Sequence, residues 1–152
     1  MPDDWLKVPH IPQSADGRCL QACAGMILAY LESPVDEDEL SNLFDATEYG
    51  VPSSRISRLE QWGFRVTYRT ATLSEIRAWL AQEKPVIAFV NTRFLDYWTA
   101  VTPHAVVLLG ISKGSVFLND PAFSEAPQTC SLDAFLAAWV EMDEVIACIA
   151  TV

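Results

Sequence analysis

Positive charge is scarce in this 152-residue chain: 10 Lys and Arg stand against 20 Asp and Glu, a formal net charge of −10. Nucleic acid and anionic membrane surfaces both call for a basic face, so neither is an expected partner. Long apolar runs are missing as well. The strongest, AVVLLGI and VIACIA, fall far short of the roughly 20 residues a membrane-spanning helix needs. The opening MPDDWLKVPH has no apolar stretch behind a basic region, so no secretory signal is read there and a cytoplasmic protein is expected. Glycine is sparse and forms no phosphate-cradling loop, which argues against a nucleotide cofactor. None of the four cysteines, Cys19, Cys23, Cys130 and Cys148, belongs to a C-x-x-C pair. They are expected as free thiols. Cys19 and Cys23 with one distant histidine make a poor zinc signature, so no metal is expected. Repeats, linkers and low-complexity tracts are absent, and residues 1–152 have the length of one domain.

What is present is an ordered change of hydrophobic period. Pro2, Pro9, Pro12 and Gly17 punctuate a polar leading arm. CLQACAGMILAYL, from Cys19 to Leu31, repeats apolar residues at three and four, as a buried helix does. Small Ala24 and Gly25 let another element come close. Helices are predicted at 34–44, with acids in its first turn, and at 54–62, ended by Gly63. The period then becomes two at 64–69, a half-buried strand. A helix follows at 73–82, capped by Thr72, and a buried strand at 85–90. Residues 91–103 read as an aromatic loop carrying Phe94, Tyr97 and Trp98. Residues 105–111 and 116–118 form a hairpin about Lys113-Gly114, followed by a helix at 131–140 and a closing strand at 144–150. Helices first and mainly antiparallel strands later predict an α+β fold of two packed layers.

Chemistry narrows to few residues, because there are two histidines. His10 lies in the polar arm. His104 opens the apolar strand HAVVLLGI, at the edge of the core. Asp120 ends the other strand of the same hairpin, in FLNDPA. Paired strands lie about 5 Å apart, so the outer ends of the hairpin meet and Asp120 can accept from one ring nitrogen of His104. Such a bond fixes the tautomer and aims the other nitrogen. Cys19 opens the buried helix, where free N–H groups and the helix dipole favour a thiolate. Cys23, one turn further in, reads as core. Gln13, in the arm, could combine with the Cys19 N–H to receive an oxyanion. Each residue alone also has a structural reading: an edge histidine, an Asp-Pro turn, a buried cysteine, a solvated loop glutamine.

Taken together, these segments resemble a family. PQSADGRCLQACAGMILAYL, HAVVLLGI, LNDPA and SLDAFLAAW occur in the order and spacing of the double-glycine leader (bacteriocin-processing) peptidases, a branch of the papain-like cysteine peptidases. The resemblance implies a papain-like fold, with N-terminal helices packed on a C-terminal, mainly antiparallel sheet. It implies a Cys19–His104–Asp120 triad with Gln13 as the oxyanion donor. In that architecture the loop carrying Tyr97 and Trp98 borders the cleft and is expected to hold apolar substrate side chains. The expected activity is hydrolysis of a peptide or amide, with a peptide or protein substrate.

Two other functions fit the same residues. Leu20 stands where the family has glycine, which motivates a module that holds a peptide without cutting it. A transglutaminase-like acyl transferase also uses Cys, His and Asp in this order. Amine incorporation would mark the transferase, and peptide affinity indifferent to Cys19→Ala would mark the binder.

Overall fold

The computed structural model describes residues 4–152. Three helical segments come first. α1 spans Cys19–Tyr30, α2 spans Glu37–Leu43, and a 3-10 helix spans Ser53–Trp62. The remainder alternates between strands and two further helices: β1 (Arg65–Thr70), α3 (Leu73–Ala81), β2 (Val86–Asn91), β3 (Pro103–Ser112), β4 (Ser115–Asn119), β5 (Gln128–Ser131), α4 (Leu132–Val140) and β6 (Val145–Ala150). The six strands make one sheet in the order β1-β6-β2-β3-β4-β5, and every neighbouring pair is antiparallel.

Helices cover both faces of the sheet, which corrects the two-layer expectation. One core cluster joins Met26, Ile27 and Leu28 of α1 and Leu40 of α2 to Ala105, Val107 and Leu109 of β3. The other joins Ile76 of α3 and Phe135 and Trp139 of α4 to Val106 and Leu108 of β3. Alternate residues of β3 therefore point to opposite cores, and β2 and β3 read as unbroken apolar runs because both their faces are buried. Phe135 and Trp139 stack at 5.6 Å in the second core. Full burial of such a side chain is worth about 1.5–3 kcal/mol.

Local chemistry explains the element ends. Thr72 and Glu75 form a reciprocal capping box on α3, and Ser131 Oγ accepts from Ala134 N–H at 3.1 Å to start α4. Residues 53–62 form a 3-10 helix rather than the α-helix expected. Their two buried residues, Ile56 and Leu59, are three apart, which suits three residues per turn. The expected helix at 34–44 begins later, at Glu37. β5 was not foreseen: QTCS buries Cys130 alone, too short a run to show a period.

The hairpin β3–β4 contains a bulge. Leu108 pairs with Leu118 while Gly110 pairs with Phe117, so Leu109 is the extra residue. Its carbonyl accepts from Leu6 N–H at 3.0 Å. The leading arm thus lies across the bulge, and a Cβ on Gly110 would collide with the backbone of Asp4. Further pins follow along the arm. Asn119 Nδ2 donates to Val8 O at 3.1 Å, His10 Nε2 lies 2.6 Å from Phe123 O, and Gln13 N–H donates to Pro121 O at 2.7 Å. These contacts carry Gln13 to the end of the sheet where β3 starts and β4 stops.

Candidate active site

Three elements converge at that end. His104 is the second residue of β3, Asp120 follows the last residue of β4, and Cys19 is the first residue of α1. The β4 register, continued one residue, sets Asp120 opposite Val106, two residues from His104 and on the same face. Without the bulge the two side chains would leave opposite faces, because a slip of one residue inverts a strand. His104 Nε2 and Asp120 Oδ1 are 2.7 Å apart, with both residues buried. Since Asp120 occupies Nε2, Nδ1 is the nitrogen left for Cys19, which lines the same two cavities as His104.

Electrostatics follow from this geometry. Burial alone would lower the His104 pKa, but hydrogen bonds to Asp120 and Cys19 outweigh it and push it up to about 9. Burial likewise opposes the charge on Asp120. Hydrogen bonds from His104, Trp98 Nε1 and the Ala122 N–H nevertheless hold its carboxyl below the usual range. The other thiols differ in kind. Burial drives Cys23 well above the ordinary thiol value, with Cys19 and Asp120 adding to the effect. Burial pushes Cys130 up to about 11 and Cys148 up to about 12.

The turn into α1 is built for close approach. Gly17 has φ +82, and a Cβ there would lie 3.0 Å from Glu48 O. Arg18 is tied at 3.1 Å to both Glu37 and Asp38 at the start of α2, and Ser14 also hydrogen-bonds Glu37. This fixes Cys19 as the opening residue of α1, where its N–H has no intrahelical carbonyl. Leu20 turns into the first core and is 3% exposed.

Two cavities flank the Cys19–His104 pair. One, of about 350 Å³, is walled by Leu20, Val51, Tyr68, Phe89, Ala105 and Met142. The other, of about 510 Å³, includes Gln13, Gly17, Tyr49, Gly50 and Trp98. Gln13 therefore shares a cavity with Cys19. Its Nε2 donates one proton to Ala15 O at 2.9 Å, leaving the second amide proton to spare. Its Oε1 is buried without a partner.

Tyr97 and Trp98 stand differently from a simple cleft rim. Tyr97 Oη and Trp98 Nε1 each donate to Asp120 Oδ2 at 2.8 Å. Trp98 also reaches the larger cavity, whereas Phe94 of the same loop is exposed. This double donation has no sequence signal, because an aromatic pair near an acid carries no spacing rule. Among the described residues, no group of three or more His, Cys, Asp or Glu is placed to hold a metal ion. Nor is any helix among them long and apolar enough to cross a membrane.

The sequence matches the model of the peptidase C39 family over residues 7–150. The chain belongs to the peptidase C39 family. Three solved structures share the fold of this C39 family member. A candidate C39-like peptidase from Bacillus anthracis superposes with TM-score 0.80 at 19% identity, covering 99% of both chains. The peptidase domain of Streptococcus ComA, a bi-functional ABC transporter involved in a quorum-sensing pathway, gives 0.78 at 17% identity, covering 94% of this chain and 98% of that one. A double-glycine-motif protease from an AMS/PCAT transporter, in complex with its leader peptide, gives 0.76 at 18% identity, covering 100% and 97%. No curated protein matches the sequence. Family membership supports cysteine peptidase chemistry, and the helices-then-sheet architecture agrees with the C39 structures.

Proposed function

We propose that this chain is a cysteine peptidase that cuts a peptide through Cys19, His104 and Asp120. The observation that carries the reading is the buried His104–Asp120 hydrogen bond of 2.7 Å, with Cys19 beside His104 in both flanking cavities. The Cys19 Sγ proton passes to His104 Nδ1, and the sulfur attacks the scissile carbonyl carbon. The oxyanion accepts from the Cys19 N–H and from Gln13 Nε2. His104 returns the proton to the leaving amine as the C–N bond breaks, giving a thioester on Cys19. Water, deprotonated by the same imidazole, then releases the acid and restores the thiol. Asp120 keeps Nδ1 aimed at sulfur throughout.

The substrate class is a peptide lying along the two cavities, with the ring of Trp98 as one wall. Tyr97 backs that wall, since Phe123 packs against both Tyr97 and Trp98. The leader peptide bound to the AMS/PCAT protease makes double-glycine leader peptides the first substrates to test.

The test is digestion of a peptide mixture by wild type and by Cys19→Ala, with new termini read by mass spectrometry. New termini from wild type alone support the reading. Equal peptide affinity in the two proteins without any cleavage points to a non-cutting binder, and amine-modified products point to a transferase.

A further inference from the structure

Resting on that peptidase reading, we propose that Tyr97 and Trp98 are positioning residues that clamp Asp120 so that one chosen oxygen faces His104. The carboxylate makes four hydrogen bonds, two on each oxygen. Oδ1 takes His104 Nε2 at 2.7 Å and the Ala122 N–H at 3.0 Å. Oδ2 takes Tyr97 Oη and Trp98 Nε1, both at 2.8 Å. Rotation about the side chain would break all four bonds, so the orientation is set from two sides. Without the aromatic donors, Oδ2 becomes a buried acceptor with no partner.

The same loop steadies the imidazole directly. The Trp98 ring meets His104 edge-on, with centroids 4.8 Å apart. Phe123 packs edge-on against both Tyr97 at 5.2 Å and Trp98 at 5.3 Å, and its carbonyl is held by His10 from the arm. Arm, aromatic loop and the Asp120 turn therefore form one braced unit behind the histidine. The titratable groups facing Asp120 are Cys23 of α1, His104 of β3 and Tyr97 of the loop, with Cys19 reached through His104. Donors aimed at a carboxylate favour its charged form, and Tyr97 stays a donor because burial and Asp120 push its own pKa upward.

The experiment uses the full chain as wild type, Tyr97→Phe, Trp98→Phe and His104→Ala, with the two aromatic changes repeated on Asp120→Asn. Tyr97→Phe removes a hydroxyl and keeps the ring packed, so it folds if any variant does. The readout is the rate of iodoacetamide alkylation at Cys19 from pH 4 to 9, followed by mass spectrometry, beside a thermal midpoint. Each aromatic variant is expected to slow Cys19 alkylation at neutral pH about tenfold. Each also moves the acid-side fall in rate to higher pH, because an Asp120 with fewer donors takes up its proton sooner. On the Asp120→Asn background Tyr97→Phe has no further effect, and Trp98→Phe keeps only the smaller part that comes from its edge-on contact with His104. Wild-type rate and profile in both variants, or an equal loss with and without Asp120, overturns the proposal even if thermal midpoints drop. Failure of the peptidase reading looks different: His104→Ala then alkylates as fast as wild type.

Discussion

Replacing Asp120 with Asn tests the electrostatics of the site with one atom. Asp120 is fully buried and accepts all four of its hydrogen bonds. An asparagine amide offers one acceptor and one donor group. With its oxygen toward His104 and Ala122, the NH2 confronts the Trp98 N–H, which cannot turn into an acceptor. With its oxygen toward Tyr97 and Trp98, the NH2 confronts the Ala122 N–H. One buried donor is orphaned either way, a cost of about 1–3 kcal/mol. The variant also loses the partner that lifts His104. Its rise from 6.5 to about 9, at 1.36 kcal/mol per unit, corresponds to on the order of 3 kcal/mol shared between Asp120 and Cys19.

The sign follows from the direction of that rise. A histidine whose folded pKa exceeds its unfolded value contributes its full stability below pH 6.5 and loses it as pH climbs through about 9. Urea unfolding followed by circular dichroism at pH 6 and pH 10 should therefore show a larger gap between wild type and Asp120→Asn at pH 6. The buried thiols of Cys130 and Cys148, also raised, cost both proteins the same stability at high pH and cancel in the difference. A gap equal at both pH values, or larger at pH 10, would refute the reasoning.

Other outcomes follow from the same structure. Gln13→Ala should lower kcat by about 100-fold or more on a cleaved peptide if its amide receives the oxyanion; an unchanged kcat removes Gln13 from the chemistry. Phe135→Ala, in the core shared by α4 and β3, should cost about 3–5 kcal/mol by urea unfolding and leave Cys19 labelling intact at temperatures where the variant is folded. Thr72→Ala, which dissolves the capping box of α3, should cost about 1 kcal/mol in the same assay. A loss below the error of the assay would mean that the end of α3 is held by other contacts.

Most of the fold was legible because its signals are local. The apolar repeat of α1, the Thr72 cap and the change of period after Gly63 each depend on a few neighbouring residues. Features set by tertiary contact were not legible. QTCS becomes β5 because β4 offers it an edge, with Cys130 placed opposite Val116. The pattern at 131–140 predicts a helix, but not that it covers a second face of the sheet. The meeting of His104 and Asp120 was expected from the hairpin ends alone. The structure brings them to one face through the Leu109 bulge, which no residue type announces and which the arm stabilises by capping the freed carbonyl. The aromatic loop reads from sequence as a substrate wall, and Trp98 does line the larger cavity. The polar tips of Tyr97 and Trp98 also reach Asp120, a meeting fixed by the distance between two loops far apart in sequence.

The most direct measurement of the central claim is the iodoacetamide alkylation rate of all four cysteines at neutral pH, by mass spectrometry, in wild type and in His104→Ala. Cys23, Cys130 and Cys148 are held as thiols by burial, and the thiolate is the reactive form. The account predicts that Cys19 labels much faster than the other three and that His104→Ala removes this advantage. Four similar slow rates, or a fast Cys19 indifferent to His104, would contradict it.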